Sequence, residues 1–135
     1  MALINWESTF SVNVAEIDRQ HQVLVGLIND LNDAMKEGKG KDILMKILDE
    51  LINYTATHFK FEEKYFDQFG YPNKDAHKLA HKDLVSEVVS FKNDFQSGKL
   101  GLTVEVLNFL VSWLKNHILV EDKMYTTCFN NNGLK

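Results

Sequence analysis

The residues of this chain best suited to chemistry are its five histidines and the acidic residues close behind two of them. Glu62 follows His58 by four positions, His81 follows His77 by four, Glu121 and Asp122 follow His117, and His21 stands apart. Positions four apart on a helix lie on one face, about a turn from each other. His58 with Glu62, and His77 with His81, therefore present paired donors, the arrangement a helix uses to clip a metal ion. Taken singly, each has a plainer explanation: His21 as a surface residue, His58–Glu62 as an i,i+4 surface pair, His77–His81 as a solvated pair. What decides between these readings is where the elements put them.

Glycines and the single proline punctuate the chain. Gly38 and Gly40 close one segment, Gly70, Tyr71 and Pro72 a second, and Gly98 and Gly101 a third. Between them run four segments with helical periodicity. Leu24, Ile28, Leu31 and Met35 share a face in the first. Leu44, Ile47, Leu51, Tyr54 and Thr55 form a stripe in the second that continues through His58 and Glu62 to Tyr65 and Phe69. The third reads His77, His81, Leu84, Val88, Phe91 and Phe95; the fourth reads Val106, Leu110, Trp113, His117 and on toward Met124. Helices are expected over about 19–37, 42–69, 74–96 and 103–128, with Asp18, Asp42, Asn73 and Thr103 as N-caps. Joined by short loops, they form an all-α, antiparallel up-down-up-down four-helix bundle. Residues 1–17, with Trp6, Phe10, Val12, Val14 and Ile17, form an irregular N-terminal arm laid against it. The chain, 1–135, is read as one domain.

Chain direction then brings the polar residues together. His21 lies near the start of the first helix, His58 and Glu62 near the end of the second, His77 and His81 at the start of the third, and His117 near the end of the fourth. In an up-down-up-down bundle these regions share one end, and a rise of about 1.5 Å per residue puts them within roughly two turns in depth. All five histidines are accounted for. Burying so many imidazoles and carboxylates without partners would be costly, and a metal centre supplies a partner for all of them. Five imidazoles and two carboxylates exceed the needs of one ion, whereas two ions sharing carboxylates use the whole set. Mixed imidazole and carboxylate suits iron better than calcium or magnesium, and the missing thiolates argue against structural zinc. Ligand type alone leaves zinc and manganese open.

Four motifs, "VAEIDRQH" ending at His21, "HFKFE" from His58, "HKLAH" from His77 and "HILVED" from His117, resemble those of the hemerythrins, most closely the single-domain bacteriohemerythrins. They occur in family order and, with a tryptophan in the leading arm, span nearly the whole chain. The resemblance implies two iron ions in a non-haem di-iron centre with carboxylate and hydroxo or oxo bridges. One ion would be held by His77, His81 and His117, the other by His21 and His58, with Glu62 and Asp122 bridging. The second ion then has one ligand fewer, which is where dioxygen would bind. A regular helix favours Glu121 over Asp122 as the partner of His117, since a step of five turns a side chain about 140° away. The family spacing, His-x4-Asp, implies Asp122 together with a local adjustment of that helix, leaving Glu121 and Glu63 solvated. Positions matching the family's oxygen pocket hold Leu24, Phe59, Trp113, Leu114 and Ile118; as a plain reading these are bundle core.

The resemblance implies reversible dioxygen binding for storage, transport or delivery, with no catalytic residue and no turnover, and with an oxygen-consuming enzyme as a candidate recipient. The alternative is a di-iron redox enzyme or an oxygen or nitric oxide sensor. Oxygen-activating bundles use carboxylate-rich sets with Glu-x-x-His pairs, and this set is histidine-rich. A metal-dependent phosphohydrolase would need an adjacent His-Asp pair, which the sequence lacks. Net charge is −4 with no Lys/Arg block, so nucleic acid and anionic membrane are not expected partners. The longest apolar run, Val23 to Ile28, is far short of the roughly 18 residues a bilayer span requires. Cys128 is the only cysteine, which rules out an intramolecular disulfide. The opening "MALINWESTF" lacks the pattern of a secretory signal. A soluble, cytoplasmic monomer is the expectation.

Overall fold

The computed structural model describes residues 3–98 and 104–135, with side chains of the last segment from 106 onward. Four helices carry the architecture: α1 (Ala15–Lys36), α2 (Lys41–Phe69), α3 (Lys74–Gln96) and α4 (Val104–Asn116). Beyond α4 the chain stays coiled as a π turn (His117–Glu121), a 3-10 turn (Asp122–Tyr125) and a short helix α5 (Thr126–Asn131). No strand occurs among the described residues. The helices alternate in direction. The start of α2 touches the end of α3 through Lys41 Nζ on the Gln96 carbonyl, while His21, His58, His77 and His117 meet at the other end.

Each expected stripe faces inward. Leu24, Ile28 and Leu31 of α1, Leu51 of α2, Leu84 and Val88 of α3 and Leu110 of α4 are buried together. Leu48 and Phe66, outside the stripes read from sequence, join them at 1% and 0% exposure. Met124 does not continue the fourth stripe; it is 57% exposed. The wider π turn rotates everything after it, so Tyr125 and Phe129 turn inward instead, both at 0% exposure. Tyr125 stacks on Phe129, ring centroids 4.3 Å apart, and Phe66 packs against both.

The first helix begins at Ala15 rather than near 19, and the arm is correspondingly shorter. Asp18 is therefore not its N-cap but lies inside its first turns, where the carboxylate accepts from the Val12 backbone N–H at 2.8 Å and the Ser11 hydroxyl at 2.5 Å. Val14 holds the cap position in extended backbone. At α2 the cap position is Gly40, with Asp42 in the first turn, where a carboxylate favours the helix dipole. Asn73 does hold the cap position of α3, though without a side-chain cap bond; Thr103 lies outside the described residues. Between α2 and α3 the turn is tight. Gly70 takes φ +65°, which its missing Cβ permits, and the Tyr71 N–H returns to the Phe66 carbonyl at 2.9 Å, a Schellman closure. That turn sets the α2 end carrying His58 and Glu62 beside the α3 start carrying His77 and His81.

The arm packs as expected, with Phe10, Val12 and Val14 buried and Trp6 half-buried against the core; Ile17, read as part of the arm, is buried in the first turn of α1. It is tied at both ends. The Asn29 side chain exchanges two hydrogen bonds with the Ile4 backbone, and Thr126 and Asn130 donate to the Val12 and Asn13 carbonyls.

Candidate metal centre

All seven expected ligands are buried at one end of the bundle: His21, His58, Glu62 and Asp122 at 0%, His117 at 1%, His81 at 2% and His77 at 5% exposure. They fall into two overlapping groups of mutually close donor atoms. Glu62, His77, His81, His117 and Asp122 form one; His21, His58, Glu62 and Asp122 form the other; within each, donor atoms lie within 4.8 Å of one another. The two carboxylates belong to both. Asp122 sends Oδ1 toward His117 Nε2 (2.9 Å) and His77 Nε2 (3.0 Å), and Oδ2 toward His21 Nε2 (2.9 Å). Glu62 Oε1 lies 3.0 Å from His58 Nε2, 3.5 Å from His81 Nε2 and 3.7 Å from His117 Nε2.

Asp122, rather than Glu121, enters the site because of the backbone. The Asp122 N–H donates to the His117 carbonyl, an i+5 to i bond that makes one turn of π-helix. A π turn takes more residues per revolution than an α turn, so a step of five returns Asp122 to the face of His117. Glu121 is carried to the rim.

The donor atoms fit a cation better than they fit one another. His77 Nε2 hydrogen-bonds to Asp122 Oδ1, but most of the remaining close pairs are not aligned as hydrogen bonds. Both nitrogens of His21 and His117, Nε2 of His58 and His81, both Glu62 oxygens and Asp122 Oδ2 are buried without a hydrogen-bond partner. Native interiors rarely leave polar atoms so placed, and a positive ion among them would satisfy several at once. Their electrostatics run the same way. Burial works to raise the Glu62 pKa, yet the surrounding histidines, His58 foremost, hold it well below the usual carboxylate range. Asp122 is likewise depressed: burial and the Glu62 charge oppose this, and His117 outweighs them. Burial disfavours charge on His117, but Asp122 and Glu121 raise its pKa well above the ordinary histidine value. For His21 burial prevails and the pKa falls.

Aromatic rings wall the site. Phe59 stacks on His81 with centroids 3.7 Å apart and planes 5° from parallel. Trp113 stacks on His117 at 4.6 Å, and Phe59 meets Trp113 edge-on. Leu24, Trp113 and Leu114 also line an apolar cavity of about 20 Å³, together with Ile28, Leu51 and Val88, room for about one water-sized molecule; none of the seven donor residues lines it. Phe59 and Ile118 are buried nearby but do not line it.

Glu63 and Glu121 are not merely solvated. Glu63 Oε2 accepts from His81 Nδ1 at 2.8 Å, and Glu121 Oε2 lies 3.4 Å from His117 Nδ1, each side chain about one-third exposed. Gln20 Oε1 accepts from His58 Nδ1 at 2.7 Å. Sequence reasoning missed these roles. For Glu121 the i,i+4 spacing from His117 carried the signal; for Gln20 and Glu63 the contacts cross between helices, and no spacing marks them. Tyr125, also missed, buries its hydroxyl without a partner beside the site, and burial raises its pKa well above the usual value.

Comparison with known proteins agrees with this geometry. The family pattern described as Hemerythrin HHE cation binding domain matches residues 12–128. Bacteriohemerythrin of Methylococcus capsulatus is 35% identical over 131 residues, covering 96% of this chain and 99% of its own. That of Clostridium acetobutylicum is 33% identical over 126 residues, covering 89% of this chain and 96% of its own. A crystal structure of wild-type hemerythrin superposes with a TM-score of 0.89 at 34% identity, covering 94% of this chain and 98% of that one.

Proposed function

The chain belongs to the hemerythrin family, and from that premise we propose that it binds dioxygen reversibly at a non-haem di-iron centre, to store, transport or deliver it. The observation that carries the reading is the division of donors into a group of five and a group of four that share Glu62 and Asp122. His77, His81 and His117 would hold one iron, His21 and His58 the other, with both carboxylates serving each. Proteins of this family bind oxygen rather than act as enzymes, and the histidine-rich donor set suits that role. Bound iron would supply the electrons that dioxygen needs in order to bind and that return when it leaves.

The chain's own residues supply the rest. The group of four offers one side-chain donor fewer, so an ion held there would be left room for a small ligand. Phe59, Trp113, Leu114, Leu24 and Ile118 keep the surroundings apolar, which excludes water and disfavours charge separation as a ligand departs. The cavity behind Leu24, Trp113 and Leu114 is apolar and suits a small uncharged molecule. No helix among the described residues is long and apolar enough to cross a membrane.

The test is an anaerobic iron count on the reduced protein, followed by oxygen addition and removal under optical absorption. Two irons per chain and a visible band that appears with oxygen and fades on degassing are expected. One metal per chain, or rapid irreversible oxidation, would overturn the reading.

A further inference from the structure

The two donor groups differ in what stands behind their imidazoles. Behind the group of five are two carboxylates: Glu63, which accepts from His81 Nδ1 at 2.8 Å, and Glu121, whose Oε2 lies 3.4 Å from His117 Nδ1, near enough to act by charge but not aligned as a hydrogen bond. A carboxylate can only accept, so the Nδ1 of His81 carries the proton and its Nε2 lone pair faces the site. Among the described residues, no carboxylate stands behind an imidazole of the group of four. His58 Nδ1 meets the amide oxygen of Gln20, and His21 Nδ1 is buried without a hydrogen-bond partner. The Gln20 amide is oriented from outside: its Nε2 donates to Glu16 Oε1 at 3.2 Å, which obliges the oxygen to point at His58. Glu16 is itself engaged by Arg19 at 2.6 Å, so an ion pair, and not a free negative charge, stands at the end of that chain.

A carboxylate that accepts an imidazole N–H makes the ring a stronger donor to whatever its other nitrogen binds. A neutral amide does this far less. We propose that Glu63 and Glu121 are positioning residues that make the group of five the more electron-rich side, while Gln20 keeps the group of four neutral, so that the two metal positions have unequal redox preference. This rests on the di-iron reading above. When an outer-sphere one-electron oxidant, such as a redox mediator, takes a single electron from the fully ferrous protein, that electron leaves from the His77, His81 and His117 side. The product is one ferric and one ferrous ion plus the reduced mediator. The ferrous character thus persists on the side with one donor fewer.

The experiment uses the iron-loaded full chain and three near-isosteric variants: Glu63→Gln, which keeps an acceptor and removes the charge; Glu121→Gln, which removes the charge near His117; and Gln20→Glu, which adds a charge behind His58. Iron is counted, the first one-electron equilibrium is measured by mediated spectroelectrochemistry, and Mössbauer spectra of the singly oxidised protein report the two sites. The first two variants should shift the equilibrium toward the ferrous form, Glu63→Gln by about tenfold, or about 59 mV for a one-electron step, and Glu121→Gln, which only removes a nearby charge, by less. Gln20→Glu should shift it the other way and reduce the difference between the two sites. Two irons in every variant with unmoved equilibria would overturn the proposal alone. So would shifts of one sign in all three, or iron loss in the Gln variants with no response to Gln20→Glu. A parent chain that fails to take two irons overturns it together with the reading beneath it.

Discussion

At the end of the bundle away from the histidines, Leu31, Leu48, Leu107 and Leu110 pack by ordinary apolar contact, each at 4% exposure or less. At the other end the same four helices meet through five imidazoles and two carboxylates. Both regions are equally buried, yet they rest on different physics. The apolar end gains free energy simply by leaving water, about 25 cal/mol for each Å² hidden. The donor end carries buried nitrogens and oxygens without hydrogen-bond partners, each a cost of about 1–3 kcal/mol until something satisfies it. The apolar end therefore needs nothing beyond its own side chains, whereas the donor end holds buried polar atoms that a cation would satisfy. The aromatic packing of Phe66, Tyr125 and Phe129 just below the donors holds that end together around its polar interior.

The largest effect is expected from removing a shared carboxylate. Asp122→Ala takes a donor from both groups and leaves His21, His77 and His117 facing each other without it. Iron per chain should fall below half of the parent's under equal loading. Glu121→Ala, one residue away, should keep both irons, because Glu121 sits outside the donor groups. Metal analysis by mass spectrometry reads both, and the reverse ranking would invalidate the assignment of Asp122.

Next in size is metal removal itself. Loading one site at about a thousand times Kd stabilises a folded state by about 4 kcal/mol through mass action, so chelation from that loading should lower the unfolding midpoint by about that equivalent. Leu48→Ala at the apolar end should cost about 2–5 kcal/mol as a buried leucine truncation, and should cost the same with and without iron. Distant sites without shared partners add. Urea unfolding of the four combinations forms a cycle. A large coupling would show that the two ends are not independent.

A third prediction uses pH on the chelated protein. His117 is raised above its ordinary value by Asp122 and Glu121, against its burial. A group with a raised folded pKa contributes stability that is fully present below its unfolded value, about 6.5, and loses it as pH rises through the folded value. Glu62 and Asp122 are depressed, so their contributions are complete above the ordinary carboxylate range and stay constant over this window. His21 is lowered and remains neutral there. The metal-free protein should therefore weaken as pH climbs above neutral. Iron requires a neutral ring, so its uptake should release protons at neutral pH, detectable with an indicator dye in weak buffer.

Helix number, alternation and the clustering of the donors were legible because most of the histidines continue an apolar stripe: His81 leads into Leu84 and Val88, and His58 follows Leu51 and Thr55. A periodic pattern that mixes donors with core residues survives without knowledge of tertiary structure. Asp122 was legible only through the family spacing, since a regular helix would choose Glu121, and the π turn that reverses the choice is a backbone event no side-chain pattern announces. The same turn sent Met124 outward and Tyr125 inward. The start of α1 was misplaced because Asp18 looks like a cap, whereas it reaches back to Ser11 and Val12. Gln20 meets His58 across 38 positions and Glu63 meets His81 across 18, so their roles exist only once the helices are packed.

The smallest effect sought concerns the arm, which bridges the comparison because it is tied to the donor end by polar contacts and packed by apolar ones. Thr126 begins α5, immediately after the turn carrying Asp122, and its hydroxyl donates to the Val12 carbonyl at 2.9 Å. Thr126→Val keeps the shape and removes that bond, a loss of about 1 kcal/mol for a single partly buried hydrogen bond. Val12, Val14 and Ile17 stay buried against the core, so the arm itself should not detach. Because α5 follows the π and 3-10 turns without a break, loosening it should be felt at Asp122 before it is felt at Leu48. Hydrogen exchange in the Thr126 variant should therefore rise around residues 117–130 and the arm, with amides of α2 near Leu48 unchanged. Uniformly faster exchange throughout the bundle would mean that the two ends unfold as one unit and that the division drawn between them is only chemical.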